Sequence, residues 1–437
     1  MSGTETPNPG TASDADLVRA AEDAVRTAAR APSAHNTQPW APVIEPDGCV
    51  LLGVAPGRTL PAGDPTGRDT LLALGAWIEA YSIRMRELGH AIEVEPLPAI
   101  ADPDVVVRAV KRDAVARIRV VAGVDDAGSS AGSAGATAAG EAGSRRTRPG
   151  HASGSSDSAG ETAAGARDAI APDAASGPAS ATGPSAPGRR PFSSRDLADR
   201  LTYRGELEPL GGFAEAAREA LPSWMRLAPL EAPDRVHFSA LGTADTLRHE
   251  EIARELLQWL RLSPAHPRFH VDGLDYRVLG IPEAAAVALA PLTRRRRLRD
   301  RCVRAAAPLL DVWRRVLLEV PVRPGEHPDV VTDFALVVEA GELELGEGVE
   351  LTRVLNSPLG LPPELVLDAG RALLRLWLAA SRMGAAFAPR SEVLDSSLAH
   401  GELRYRLGLA RRDTVVFVAS VGIPRVAEPP RSPRRAV

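Results

Sequence analysis

The residues best equipped for chemistry lie in APSAHNTQPW, Ala31 to Trp40, where Ser33, His35, Asn36, Thr37 and Gln38 stand between Pro32 and Pro39. Ser, Asn and Gln offer hydrogen-bond donors and acceptors side by side. That set suits the edge of a planar heterocycle on which carbonyls alternate with ring nitrogens. None of these residues reads as a nucleophile, and His35 reads as a structural hydrogen-bonder, not an acid or base. No catalytic residue is therefore expected from the chain itself, and any bond-making step falls to a bound group.

A second set is cationic. Arg145, Arg146 and Thr147 form one piece, Arg189, Arg190, Pro191 and Phe192 a second, and Arg434 and Arg435 close the tail SPRRAV. Bidentate arginine beside a hydroxyl is a natural receptor for a phosphate dianion. The first two pieces are separated by a low-complexity stretch, which a binding site can survive because loop-closure entropy grows only logarithmically with length. Lysine occurs only at Lys111, so arginine carries almost all the positive charge and an arginine cluster is a weaker phosphate signal here than in most chains.

The pattern APSxxNxQPW at the end of a first helix resembles the flavin loop of the nitroreductase superfamily, and APSAHNTQPW is most similar to its Acg-type, single-chain branch. The arginine pieces resemble the superfamily's R-x-S-x-R phosphate motif in that branch's RRT-x-RRPF form. This resemblance implies FMN as cofactor. Pro32, Ser33, His35, Asn36 and Gln38 are then expected at the ring, and Arg145, Thr147, Arg189, Arg190, Arg434 and Arg435 at the phosphate. Ala388 and Pro389 correspond in position to the segment that passes under the ring. It also implies NADH or NADPH as reductant, with hydride passing through the flavin to a nitroaromatic or quinone. A protein that holds FMN without turnover, or a scaffold that has lost its ligand, are the competing readings.

The elements that must position these residues follow from periodicity. Leu17, Val18, Ala21, Ala24, Val25 and Ala28 recur at helical spacing from Asp14 to Arg30, and Pro32 stops the helix at Ala31, exposing the polar loop. A strand at Cys49–Ala55, a helix from Thr70 closed by Gly89, and strands at Ala91–Leu97 and Ala114–Gly123 complete the first half. The second half resumes with GGFAEAAREALPSWMRLAPL and carries helices at Thr246–Leu262, Thr293–Val320 and Glu364–Gly384, with strands at Asp333–Ala340 and Thr414–Gly422.

Two stretches repeat. AEDAVRTAARAPS (Ala21 to Ser33) matches FAEAAREALPS (Phe213 to Ser223), and the helix from Gly75 matches the helix from Gly370, each closed by Gly and followed by an extended segment. The order of elements reads as a duplication. The expected fold is α+β, with a three-layer arrangement of a mostly antiparallel sheet between helices present twice. The expected division is 14–125 for the first half, 126–188 for a disordered insert dominated by Ala, Gly, Ser, Pro and Thr, and 189–437 for the second half. The superfamily is built of homodimers with flavins at the interface, and the Acg branch resembles such a dimer fused. A monomer acting as a pseudo-dimer is therefore implied, with one FMN per chain.

With 437 residues, 44% of them hydrophobic and 25% charged, the chain has ample material for a core. A net charge of −4 gives no bulk attraction to nucleic acid or anionic membrane. The arginine run from Thr293 lacks interleaved aromatics and reads as a solvated helix face. Cys49 and Cys302 have no metal or redox spacing. The first residues carry no secretory pattern and no apolar run reaches membrane length, so a small-molecule-binding cytoplasmic protein is expected, with no metal, nucleic-acid or membrane partner.

Overall fold

The computed structural model describes residues 13–121, 190–319, 330–339 and 360–435, which belong to one compact unit. Arg145, Thr147 and Arg189 lie outside the described residues, as does all of 126–188.

Ser13 opens α1 (Asp14–Ala28) with a capping box, its hydroxyl accepting from the Asp16 amide. The buried face of α1 is mostly alanine, at positions 20, 21, 24 and 28, and small residues let the helix lie close on its neighbour. Then come β1 (Trp40–Ile44), β2 (Val50–Val54), α2 (Arg68–Glu87), β3 (Ala91–Pro96), α3 (Pro103–Val106) and β4 (Ala116–Val121). The strands form an antiparallel sheet in the order β1-β2-β4-β3. On β3 and β4, Ile92, Val94, Ile118 and Val120 face the helices and alternate with Glu93, Glu95, Arg117 and Arg119. Period-two alternation thus gives this part of the sheet one apolar face, and Glu95 pairs with Arg117 at 3.1 Å and Arg119 at 3.4 Å on the other.

The second half contains α4 (Ser194–Asp199), β5 (Leu207–Glu208), α5 (Phe213–Ala220), β6 (Met225–Leu230), α6 (Ala232–Leu247), α7 (Glu250–Trp259), β7 (Leu260–Arg261), β8 (Leu274–Asp275), α8 (Glu283–Arg294) and α9 (Arg296–Leu318). After these come β9 (Asp333–Val338), α10 (Pro363–Arg382), β10 (Ala386–Pro389), α11 (Ser391–Asp395), α12 (Ser397–Arg406) and β11 (Thr414–Pro424). Its main sheet is antiparallel with the order β6-β9-β11-β10, and β5 adds to β11. Replacing β1, β2, β4 and β3 by β6, β9, β11 and β10 converts one sheet order into the other. The two differ in how the first pair is joined: a turn links β1 to β2, whereas α6 to α9 lie between β6 and β9. Helices cover both faces of this sheet. Phe213 of α5 packs on Phe334 and Phe387 on one side, and Phe238, Leu241, Val393 and Leu403 pack on the other.

The halves meet where α2 crosses α10. A Cβ on Gly75 would lie 1.9 Å from the Leu367 carbonyl oxygen, and one on Gly370 would lie 2.3 Å from that of Leu72. Only glycine allows backbones this close. These are the two glycines that head the matched helices of the repeat. Beside them Glu79 accepts from Arg371 at 3.3 Å and Arg375 at 3.0 Å, so the crossing also holds a buried carboxylate with two cations.

One expected helix is broken. Thr246–Leu262 divides into the end of α6, an extended His249, and α7, which runs into β7 at Leu260. The Thr246 hydroxyl donates back to the Gly242 carbonyl at 2.7 Å, a bond that bends helices. Trp40, fully buried, opens β1. Among the described residues no helix is long and apolar enough to cross a membrane.

Candidate functional site

Helix α1 ends at Ala28, three residues short of the expected stop, and the chain enters the polar loop through Pro32. The Gln38 amide donates to Ser33 Oγ at 2.9 Å. His35, Asn36 and Gln38 take φ values of 48°, 52° and 53°, three of the four non-glycine residues described with left-handed backbone. Side chains resist that region, and a run of such residues persists only where surroundings fix it, often at functional sites.

What fixes this loop overturns the expectation that it is exposed. Asn36 and Thr37 are buried and Gln38 is fully so. Asn36 Nδ2 donates to the Pro433 carbonyl at 3.0 Å, and Asn36 Oδ1 accepts from Arg434 Nη1 at 2.6 Å. Gln38 Nε2 donates to the Val271 carbonyl at 2.8 Å, and its Oε1 accepts from the Arg435 amide at 2.9 Å. The polar residues read as solvent-facing are instead satisfied by the C-terminal tail and by the segment between β7 and β8. Arg58, donating to the Thr37 carbonyl at 2.8 Å, closes the loop's other side.

His35 is not the hydrogen-bonding strut expected either. Its Nδ1 is buried without a partner among the described residues. Burial, followed by the nearby charge of Arg204, pushes its pKa down to about 4, so the ring is neutral at pH 7.

The loop walls a cavity of about 980 Å³, counting the part open to solvent. Both halves contribute. Pro32, Ser33, His35, Asn36, Arg68, Asp69 and Leu72 come from the first; Thr202, Arg204, Leu373, Trp377, Pro389 and Phe417 from the second. Leu274, Val278 and Leu279 of the inserted helices' region add an apolar wall, and Ser432 and Arg434 of the tail complete it. Gln38, Ala388, Arg190 and Arg435 do not line it. Arg190 instead approaches Asp196 at 3.6 Å on an exposed surface, and its carbonyl accepts from Arg382 at 2.7 Å.

At the first turn of α2, Asp64 accepts from the Thr70 amide at 3.0 Å and from its hydroxyl at 3.1 Å. Burial pushes Asp64 up to about 7. Arg68 pairs with Asp69 and with Asp395, each at 2.9 Å, which ties α2 to α11 and leaves its charge compensated.

A second, smaller pocket shares Thr202, Ser432 and Arg434 with the lining of the cavity. Here Arg30, Arg200, Arg431 and Arg434 converge. Their described partners are uncharged: Arg200 donates to the Arg30 carbonyl at 3.0 Å and to Thr202 Oγ1 at 3.3 Å, Arg434 to the Arg30 carbonyl at 3.3 Å, and Arg431 to the Ala198 carbonyl at 2.6 Å. The Nε atoms of Arg200 and Arg434 are buried with no partner. Burial, then the charges of Arg434, Arg30 and Arg431, depresses the Arg200 pKa well below its usual value; burial pushes Arg434 down to about 10. The Arg200 guanidinium also lies 4.7 Å from the Trp377 ring centroid. Crowded guanidinium groups with no described carboxylate are unfavourable unless an anion neutralises them. Of the expected phosphate residues the described chain brings only Arg434 here. Arg30, Arg200 and Arg431 were missed, because isolated arginines in an arginine-rich chain carry no local signal.

No protein-family model matches this chain. The chain is 38% identical over 95 residues to a Mycobacterium tuberculosis protein provisionally named NAD(P)H nitroreductase acg, a match covering 22% of this chain and 28% of that protein. An uncharacterized protein of the same organism is 36% identical over 86 residues, covering 19% and 25% respectively. The chain thus matches only about a quarter of the length of these curated relatives. This similarity is partial, and it agrees with the resemblance read from the loop motif.

Proposed function

We propose that the cavity and its arginine pocket bind FMN and that the protein is an NAD(P)H-dependent oxidoreductase acting on nitroaromatic or quinone-type acceptors. The observation that carries this reading is the arginine pocket. Arg30, Arg200, Arg431 and Arg434 lack described carboxylate partners, two of their Nε atoms are unsatisfied among the described residues, and the pocket shares three lining residues with the larger, mostly apolar cavity. A phosphate dianion on a chain that leads to a flat ring matches that order of environments. Thr202 and Ser432, which line both pockets, add hydroxyls.

When bound, the flavin supplies reversible hydride transfer. The chain's own residues bind, orient and exclude water. Asn36 and Gln38 hold the left-handed loop against the tail and the β7–β8 segment, so their contribution to the ring's environment is to fix the shape of the loop. Pro32, Ser33, His35 and Pro389 form the polar and backbone edge, and Leu72, Val278 and Phe417 the apolar walls. Arg145, Thr147 and Arg189 are further phosphate candidates on the strength of the sequence motif, and Arg435 holds Gln38 through its backbone amide. The fused-dimer reading rests on the two matching sheet orders and the glycine crossing between them.

Visible absorbance tests the reading. The purified protein is expected to be yellow with one FMN released per chain, and NADH or NADPH is expected to bleach it without oxygen. Colour without bleaching selects the holding protein, a colourless preparation that takes up no FMN rejects the cofactor, and a reproducible ratio near two rejects the single composite site.

A further inference from the structure

One cavity-lining charge has no role in the reading above. Arg204 faces the cavity, yet among the described residues no hydrogen bond or ion pair holds its guanidinium. Every other charged residue lining the cavity is engaged: Arg68 with Asp69 and Asp395, Asp275 with Arg277, and Arg434 with Asn36. Glu392 acts on Arg204 from a distance, and Arg390 opposes it. Burial lowers the Arg204 pKa, as expected of a cation that has lost water without gaining a partner.

The backbone fixes where this charge stands. Residues 201–203 run extended beside β10: the Tyr203 amide donates to the Phe387 carbonyl at 3.0 Å, and the Arg204 amide donates to that of Val278 at 3.1 Å. Alternate residues of an extended chain share a side. Arg200 and Thr202 line the arginine pocket, whereas Thr202 and Arg204 line the cavity. At about 3.3 Å per residue, Arg204 stands roughly 13 Å along the chain from Arg200. The two cations therefore line different pockets, with Thr202 between them on the wall of both. Around Arg204 the walls are apolar, formed by Leu274, Val278 and Leu279.

We propose that Arg204 is an anion anchor for the acceptor, so that the protein prefers aromatic acceptors carrying a carboxylate over neutral acceptors of the same ring. The proposal rests on the cofactor reading for its substrate class, but its test does not depend on turnover. A half-buried guanidinium with no described partner forms a charge-assisted hydrogen bond with a carboxylate and gains nothing from a neutral ring.

The test is a calorimetric titration of the protein, as isolated, with 4-nitrobenzoate and with nitrobenzene, for wild type, Arg204→Met and Arg204→Lys. Wild type is expected to bind 4-nitrobenzoate more tightly. Arg204→Met is expected to raise its Kd roughly tenfold to a hundredfold while changing that of nitrobenzene less than about twofold. Arg204→Lys, which keeps the charge without the fork, is expected to recover part of the loss. Wild type binding both compounds alike, or Arg204→Met weakening both equally, would overturn the proposal. A drop in bound FMN with unchanged 4-nitrobenzoate affinity would also overturn it, assigning Arg204 to the cofactor. A protein that neither holds nor bleaches a flavin rejects the cofactor reading alone, since the ratio of the two affinities still reports on Arg204.

Discussion

The first and second halves repeat one sheet order and one helix crossing, yet they differ where α1 leads to β1 and α5 leads to β6. In the first, residues 29–39 form a loop with three left-handed residues whose amides grip the tail and the β7–β8 segment. In the second, only 221–224 intervene, and they are spent on local closure: the Met225 amide bonds the Pro222 carbonyl, and the Glu339 amide bonds that of Trp224. The loop walls a cavity, whereas Trp224 packs on the core. A duplicated framework therefore does not imply a duplicated site. The framework fixes where the strands and central helices lie, and a few residues between elements decide which of two equivalent places can hold a ligand.

The strongest way to break this comparison is at the crossing both halves share. Gly75→Leu places a side chain where the Leu367 carbonyl already stands. It is expected to cost about 3 kcal/mol or more, seen as a large fall in melting temperature or loss of soluble protein. A variant melting like wild type would mean that the two halves are not joined at this point. The next effect concerns what only one half offers. Arg200→Met is expected to weaken FMN binding roughly tenfold to a hundredfold. The same change is expected to leave the ligand-free protein equally or more stable, because it removes one of four crowded cations. A stability loss with unchanged FMN affinity would make the pocket structural.

Gln38→Ala sharpens the contrast between loop and turn. It strands the Val271 carbonyl and the Arg435 amide, so a loss of about 1 to 3 kcal/mol in chemical denaturation is expected alongside weaker FMN binding. Denaturation curves that superimpose on wild type would show that the tail does not depend on this residue. The smallest effect is acid-linked. His35 and His400 each have a pKa near 4 in the folded protein, against 6.5 for the free side chain. The unfolded chain binds more protons between these values, so these two histidines make stability fall as pH drops from about 6.5 toward 4. His35→Gln is expected to lose less stability than wild type between pH 7 and pH 5, by an amount of order 1 kcal/mol. A larger acid loss in the variant would contradict the neutral assignment.

Much of the framework could be read from the residues. The helix ends, the alternating strands and the pair of matching helices all leave periodic traces, and the proline-bounded loop stands out by composition. The state of that loop could not be read, since Asn36 and Gln38 look the same in sequence whether water or a buried carbonyl satisfies them. The arginine pocket was harder still. Arg30 lies two residues past one helix, Arg200 follows a short one, and Arg431 lies among prolines; only the folded chain brings them together. Leu274 and Val278 carry no signature that would place them on a cavity wall.

The contact between Gly75 and Gly370 bears on what counts as a folding unit. Both helices are buried around the crossing, with Leu74 and Ile78 fully buried in α2 and Leu374 and Leu378 in α10. A half made alone would turn these residues to water. Supplied as two separate polypeptides divided between residues 122 and 189, the halves should instead recognise each other through this seam. Neither alone can assemble a cavity whose walls are drawn from both, so ligand binding would return only on mixing.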